Sequence, residues 1–205
     1  MQKTQLSILI GIAAVFAGLW FLYGTQVAAP TESIDVSASP NVPSLGISNS
    51  YNSSSTMQVR SAQFKNTGSI PYRYTCDGED VSPPLTFNDI ADEAVTLALL
   101  VEDPDAPSGT WDHWIVYNIP ASTHEVKEGE EPQGVGGVNS WGRIGYGGPC
   151  PPSGEHRYIF SLFALNDVLD LPVGASKDSL LDAMEGKIID QATLVGRYER
   201  SEVKE

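Results

Sequence analysis

Apolar positions along the chain fall into three regimes. Leu6–Tyr23 is an uncharged, almost wholly apolar run; residues 25–56 show no apolar period; from Met57 onward short apolar stretches recur between polar, glycine- and proline-rich segments. In the third regime "MQVRSAQF" alternates in part, and "AVTLALLVED" is a continuous apolar run of strand length. "WIVYNIP", "YIFSLFALN" and "ATLVGRYER" are short, rich in β-branched or aromatic residues, and bounded by Pro, Gly or Asp. These patterns predict strands. One segment has helical spacing: Ser176 can cap "KDSLLDAMEGKI", in which Leu180, Leu181, Met184 and Ile188 share a face and Asp178 sits in the first turn. Many short strands with one or two peripheral helices predict an all-β domain, a β-sandwich or Greek key, over residues 57–205.

The first regime predicts a transmembrane helix. Leu6–Tyr23 would extend ~27 Å as a helix, close to the ~30 Å of a bilayer core. Trp20 and Tyr23 stand at its far end, where interfacial aromatics gather, and Lys3 before it keeps the N-terminus inside. A cleaved signal peptide is the competing reading, since "VAAP" offers small residues to a peptidase. The run is longer than the usual ~7–15-residue signal core, which favours an uncleaved anchor over residues 1–24. Either way the domain is exported: held on the membrane outside the cytoplasm, or secreted after cleavage. Residues 25–56, with nine serines and three prolines, read as a flexible tether. Asn52-Ser53-Ser54 within it fits the glycosylation acceptor pattern.

Charge narrows the partners. Twelve Lys+Arg stand against 26 Asp+Glu, giving −14. Such a surface repels nucleic acid, which is excluded as a partner. Cys76 and Cys150 are the two cysteines. Export places them in an oxidising setting, so a bridge between them and two separate thiols are both open.

Candidate chemistry gathers in "DPDAPSGTWDHWIVYNIP" and in the loop running to His156. His113 lies just inside one predicted strand and His156 begins another, each at a loop-to-strand junction; His124 falls in a loop. If the two strands are neighbours, Asp103, Asp105, His113 and His156 share one pocket with acceptors, tunable donors and an apolar floor. A carboxylate that accepts one imidazole N–H fixes the tautomer and leaves the other nitrogen for a ligand. Of Trp111 and Trp114, one is expected in the core and one at the rim.

These two segments, with "YRYTCDGEDVSPPL" and "AMEGKIIDQATLVGRYER", resemble the phosphatidylethanolamine-binding protein family, specifically its prokaryotic, Raf kinase inhibitor-like branch. The resemblance runs from about Met57 to Arg200. It implies two antiparallel sheets in Greek-key order and a shallow anion-binding pocket. The pocket positions fall on Asp103, Asp105, His113, Gly148, Pro149 and His156, with Tyr158 beside them. Many members carry two histidines after the tryptophan; here the first is Asp112, which removes a potential cation. The implied ligand is a small phosphorylated, anionic or zwitterionic molecule of phospholipid head-group type, and a −14 chain tolerates zwitterions better than pure anions. Backbone N–H groups of the glycine-rich loop are expected to add donors.

The rival readings are weaker. Ser108 and Ser153 lie near the motifs, but there is no G-x-S-x-G elbow and no base placed by local sequence, so no catalytic residue is assigned. The His and Asp spacings match no metal signature, and neither metal nor cofactor is expected. Some members of the resembled family inhibit kinases or serine proteases. An exported domain can meet a serine protease but not a cytosolic kinase, so protease inhibition stands as the alternative function.

Overall fold

The structure, a computed structural model, describes residues 56–200. The anchor expected at 1–24 and all but the last residue of the tether expected at 25–56 lie outside the described residues. No helix among the described residues is long and apolar enough to cross a membrane.

Among the described residues nine strands and one α-helix follow in order: β1 (Gln58–Arg60), β2 (Gly68–Ser69), β3 (Leu85–Asn88), β4 (Thr96–Asp103), β5 (Trp111–Pro120), β6 (Glu125–Val126), β7 (Val135–Gly136), β8 (Glu155–Leu165), α1 (Lys177–Met184) and β9 (Ile188–Glu199). A single 3-10 turn covers Tyr72–Tyr74. The strands make a three-stranded sheet, β1-β3-β6, and a six-stranded sheet, β2-β9-β8-β4-β5-β7. Within the larger sheet β8 returns to lie beside β4, and the order β8-β4-β5-β7 is that of a Greek key. One pairing departs from the antiparallel expectation: β2 runs parallel to β9, Gly68 opposite Gly196. A side chain is excluded at Gly196, where a Cβ would come within 2.5 Å of Ile70.

The main core lies between the sheets and includes Leu97, Leu99, Val101, Trp114, Phe160 and Leu194. The outer face of the large sheet carries a second cluster, Ala98, Leu100, Ile115 and Tyr117, covered by Leu180 and Met184 of α1. β4 is therefore apolar from Leu97 to Val101 because both its faces are covered, whereas β8 alternates buried with less buried positions. Ser176 caps α1, its hydroxyl accepting from the Ser179 N–H at 3.2 Å. The helix ends at Met184, earlier than its apolar spacing predicts: Gly186 turns the chain at φ +71°, Ile188 opens β9, and Leu181 and Ile188 are exposed.

Candidate functional site

Neighbouring strand ends bring the distant motifs together. β4 pairs with β5 on one side and β8 on the other, so the end of β4, the start of β5 and the start of β8 meet. Alternation along β8 turns His156, Tyr158 and Phe160 inward. On β5 the alternation breaks. Val101 pairs with Trp114 but Glu102 pairs with Asp112, so His113 is an extra residue in a β-bulge. Regular alternation would send His113 to the outer face with Ile115 and Tyr117. The bulge instead sets it against Tyr158, an inner-face residue, with ring centroids 5.2 Å apart and planes at 89°.

Asp103 is the hub. It is buried, and its Oδ2 accepts the His156 Nδ1–H at 2.7 Å while its Oδ1 accepts the Asp105 backbone N–H at 2.8 Å. One carboxylate thus orients an imidazole and shapes the loop that follows. His113 is held by the glycine-rich loop: its Nδ1–H donates to the Gly147 carbonyl at 2.6 Å, and its own carbonyl accepts the Gly147 N–H at 3.0 Å. Both rings therefore spend Nδ1 on the protein. Among the described residues neither Nε2 has a hydrogen-bond partner. Burial lowers the His113 pKa, against the raising effects of the Gly147 contact and of Asp103, Asp112 and Asp80, and so favours a neutral ring.

With Nδ1 protonated, each Nε2 is an acceptor in the neutral ring, and two donors stand unmatched beside them. The Tyr158 hydroxyl and the Trp111 indole N–H are buried without a hydrogen-bond partner among the described residues. Asp103 and the Cys150 backbone lie close enough to Tyr158 to act on its hydroxyl electrostatically, but neither meets it in hydrogen-bond geometry. Burial first, and then the negative charge of Asp103, push the Tyr158 pKa well above the usual phenol value. Trp111 pairs across the ladder with Asp103 and meets Trp141 edge-on at 5.4 Å; Trp141 in turn meets His113 at 4.9 Å. As expected, Trp114 is in the core while Trp111 is only half-buried.

Other expected site residues are placed differently. Asp105 does not face an imidazole. Arg157 takes it by two side-chain bonds of 2.8 and 2.6 Å and a backbone bond of 2.9 Å, and that pairing holds the Asp105 pKa at about 2. Gly148 does not offer its N–H either, because Asp80 Oδ1 accepts it at 2.6 Å. Its role is steric: a Cβ there would lie 2.5 Å from the Tyr74 carbonyl oxygen and 2.8 Å from the Thr75 Cα. The backbone N–H groups of Gly147 and Gly148 are both engaged, so the expected anion-binding curve is not formed by them. Pro149 is buried, and its carbonyl accepts the Cys76 N–H at 3.1 Å. Cys76 and Cys150 are disulfide-bonded, fastening the loop behind His113 to the Tyr72–Asp80 segment. Asp112 is bound on the α1 side by Lys177 Nζ at 2.7 Å, and Lys177 also reaches Glu102 at 3.0 Å. Position 112 therefore faces α1 and is not a rim position for a cation. His124 lies in a loop beside β6, apart from this cluster.

The phosphatidylethanolamine-binding protein family matches residues 60–199. A UPF0098 protein of Methanothermobacter thermautotrophicus is 50% identical over 150 residues, 70% of this chain and 99% of that protein. A UPF0098 protein of Aquifex aeolicus is 47% identical over 152 residues, 70% of this chain and 89% of its own length. Among solved structures, a phosphatidylethanolamine-binding protein homologue from Chlamydia trachomatis aligns with TM-score 0.70 at 45% identity, over 72% of this chain and all of the other. E. coli YBCL, described as a new member of the mammalian PEBP family, aligns with TM-score 0.66 at 30% identity, over 71% of this chain and 99% of that one.

Proposed function

The chain belongs to the phosphatidylethanolamine-binding protein family, in its prokaryotic branch, and from that premise we propose that its domain is an exported binding module for a small phosphorylated, anionic or zwitterionic ligand of phospholipid head-group type. One observation carries the reading. Around Asp103 stand two imidazoles with Nε2 unengaged and two buried donors, Tyr158 Oη and Trp111 Nε1, that no atom of the described residues satisfies. Buried polar atoms almost always have partners, and a cluster that lacks them suits a ligand bearing several acceptor oxygens. The Tyr158 O–H and the Trp111 N–H donate to phosphate or carboxylate oxygens without requiring a strongly positive site, which fits a chain of net charge −14, while each Nε2, its ring's Nδ1–H already spent on the protein, accepts from an ammonium or a P–O–H proton when the ring is neutral. The Asp103 carboxylate holds His156 in one tautomer and does not itself meet the anion.

Export and membrane tethering rest on the apolar run Leu6–Tyr23 and the polar stretch after it, and the Cys76–Cys150 disulfide supports an oxidising compartment. The test is calorimetric titration of the protein with phosphorylethanolamine, inorganic phosphate and ethanolamine. Phosphorylethanolamine and phosphate give saturable heat, ethanolamine alone does not, and His156→Ala weakens binding about tenfold, the scale of a lost hydrogen bond to a charged group. Saturable binding that His156→Ala leaves unchanged would refute the assignment of the site.

A further inference from the structure

A recess lies away from the imidazoles. It has a volume of about 650 Å³ and opens between β1, an edge strand of the small sheet, and the first half of β9 in the large one. His156 pairs with Tyr198, whereas the recess is lined by β9 only from Gln191 to Leu194. At ~3.4 Å per residue the two places are about 20 Å apart along the strand. The volume is that of a small-ligand site, which typically spans ~300–1,000 Å³.

Its chemistry is two-sided. Met57, Val59, Phe64 and Leu194 belong to the main core and reach the recess from below, so its floor is apolar. Arg60 and Lys65 line it as exposed side chains, and none of its lining residues is Asp or Glu. Two carboxylates bond to its lining without being part of it: Asp89 accepts from the Gln58 amide at 3.4 Å, and Asp190 accepts the Gln191 N–H at 2.7 Å. Among the described residues Arg60, Lys65 and Lys127 are the lysines and arginines without an ion pair; the other seven each have one. Two of those three unpaired cations border this one recess, in a chain whose net charge is −14. A local positive edge over an apolar floor is complementary to a molecule with one anionic end and one hydrocarbon body.

We infer that the recess between β1 and β9 is a second binding site, taking the chain of a single-chain anionic amphiphile against Val59, Phe64 and Leu194 and its carboxylate or phosphate head against Arg60 and Lys65. The site shares no residue with the imidazole cluster.

The test uses the full chain in phosphatidylcholine nanodiscs with three photoactivatable C16 probes: a fatty acid, an alkyl phosphate and a fatty alcohol. Crosslinks of the two acidic probes map to peptides containing residues 57–66 and 191–194, and their yield exceeds that of the alcohol about fivefold, the scale of two weakly screened ion pairs. Arg60→Glu with Lys65→Glu lowers that yield to the level of the alcohol, while His156→Ala leaves it unchanged. Both replaced side chains are exposed, and an unchanged thermal midpoint verifies the fold. The ratio of fatty acid to alkyl phosphate labelling tells which head group is preferred. Equal labelling by the alcohol, labelling insensitive to the double charge reversal, or crosslinks centred on His156 and Tyr158 would each overturn the proposal.

Discussion

Replacing Tyr158 by phenylalanine removes one oxygen from a site where the ring is already buried. The hydroxyl is out of water and has no partner in hydrogen-bond geometry. A hydroxyl in that position costs about 1–3 kcal/mol of desolvation, part of which the nearby Asp103 carboxylate and Cys150 backbone offset electrostatically. The ring contacts with His113 do not depend on the oxygen. Tyr158→Phe therefore leaves the fold as stable as before or more stable, by about 0–2 kcal/mol. With a urea slope of ~1–3 kcal/mol per molar, that is an upward shift of the unfolding midpoint of up to about 2 M, read by tryptophan fluorescence. Phosphorylethanolamine, which would use the hydroxyl as a donor, loses about three- to tenfold in affinity by calorimetry. A stabilised or neutral variant that binds less well separates a ligand-facing donor from a structural one. A loss of more than about 1 kcal/mol in stability with unchanged affinity would show that the hydroxyl serves the fold, and the reading of the donor cluster would fall.

Four further expectations test the same geometry. Asp103→Ala strands the His156 Nδ1–H in a buried place and unties the part-buried Asp105 N–H, and chemical denaturation should show a loss of about 2–4 kcal/mol. Gly148→Ala forces a Cβ against the Tyr74 carbonyl oxygen and the Thr75 Cα, and the urea midpoint should report a loss of about 1–3 kcal/mol. His113 has a folded pKa below its ordinary 6.5, so the unfolded chain binds the proton first on acidification. Its contribution is complete above about 6.5 and declines as pH falls below that value; His113→Asn should remove this decline from the pH dependence of urea midpoints. Asp105, at about 2 in the fold against 3.8, contributes stability above 3.8 that disappears as pH falls through about 2, and Arg157→Met should abolish that lower step.

The long strands β4, β5, β8 and β9 were legible because each carries its own apolar pattern, continuous where both faces are covered and alternating where one is. β2, β6 and β7 were not legible. Each has two residues and exists because a partner strand passes by, as Gly68 and Ser69 meet Gly196 and Arg197. Helical spacing overran the end of α1 because Leu181 and Ile188 fit an apolar stripe while the turn at Gly186 had already ended the helix. In the site, the meeting of Asp103 with His156 was readable from motifs at loop-to-strand junctions. The diversion of Asp105 to Arg157 was not, since it depends on which face of β8 each residue takes. Nor could the chain show that Asp80 occupies the Gly148 N–H, or that Trp111 and Tyr158 lack partners. Hydrogen-bond satisfaction is a property of neighbours in space.

The bulge opposite Val101 and Glu102 ties recognition to arithmetic along the chain. Imidazole and indole stand on one side of β5 because one residue more than the ladder needs separates Asp112 from Trp114. Deleting a single residue there would restore regular pleating and leave room on that side for only one of the two rings. Chemically mild substitutions at Asp112 or Trp114 keep the tally, whereas a one-codon loss would dismantle the cluster without altering any other side chain. Spacing through this triplet is thus under tighter constraint than the identity of its flanking members, and length variation among variants of this chain is expected in the exposed turn Pro107–Gly109 before it.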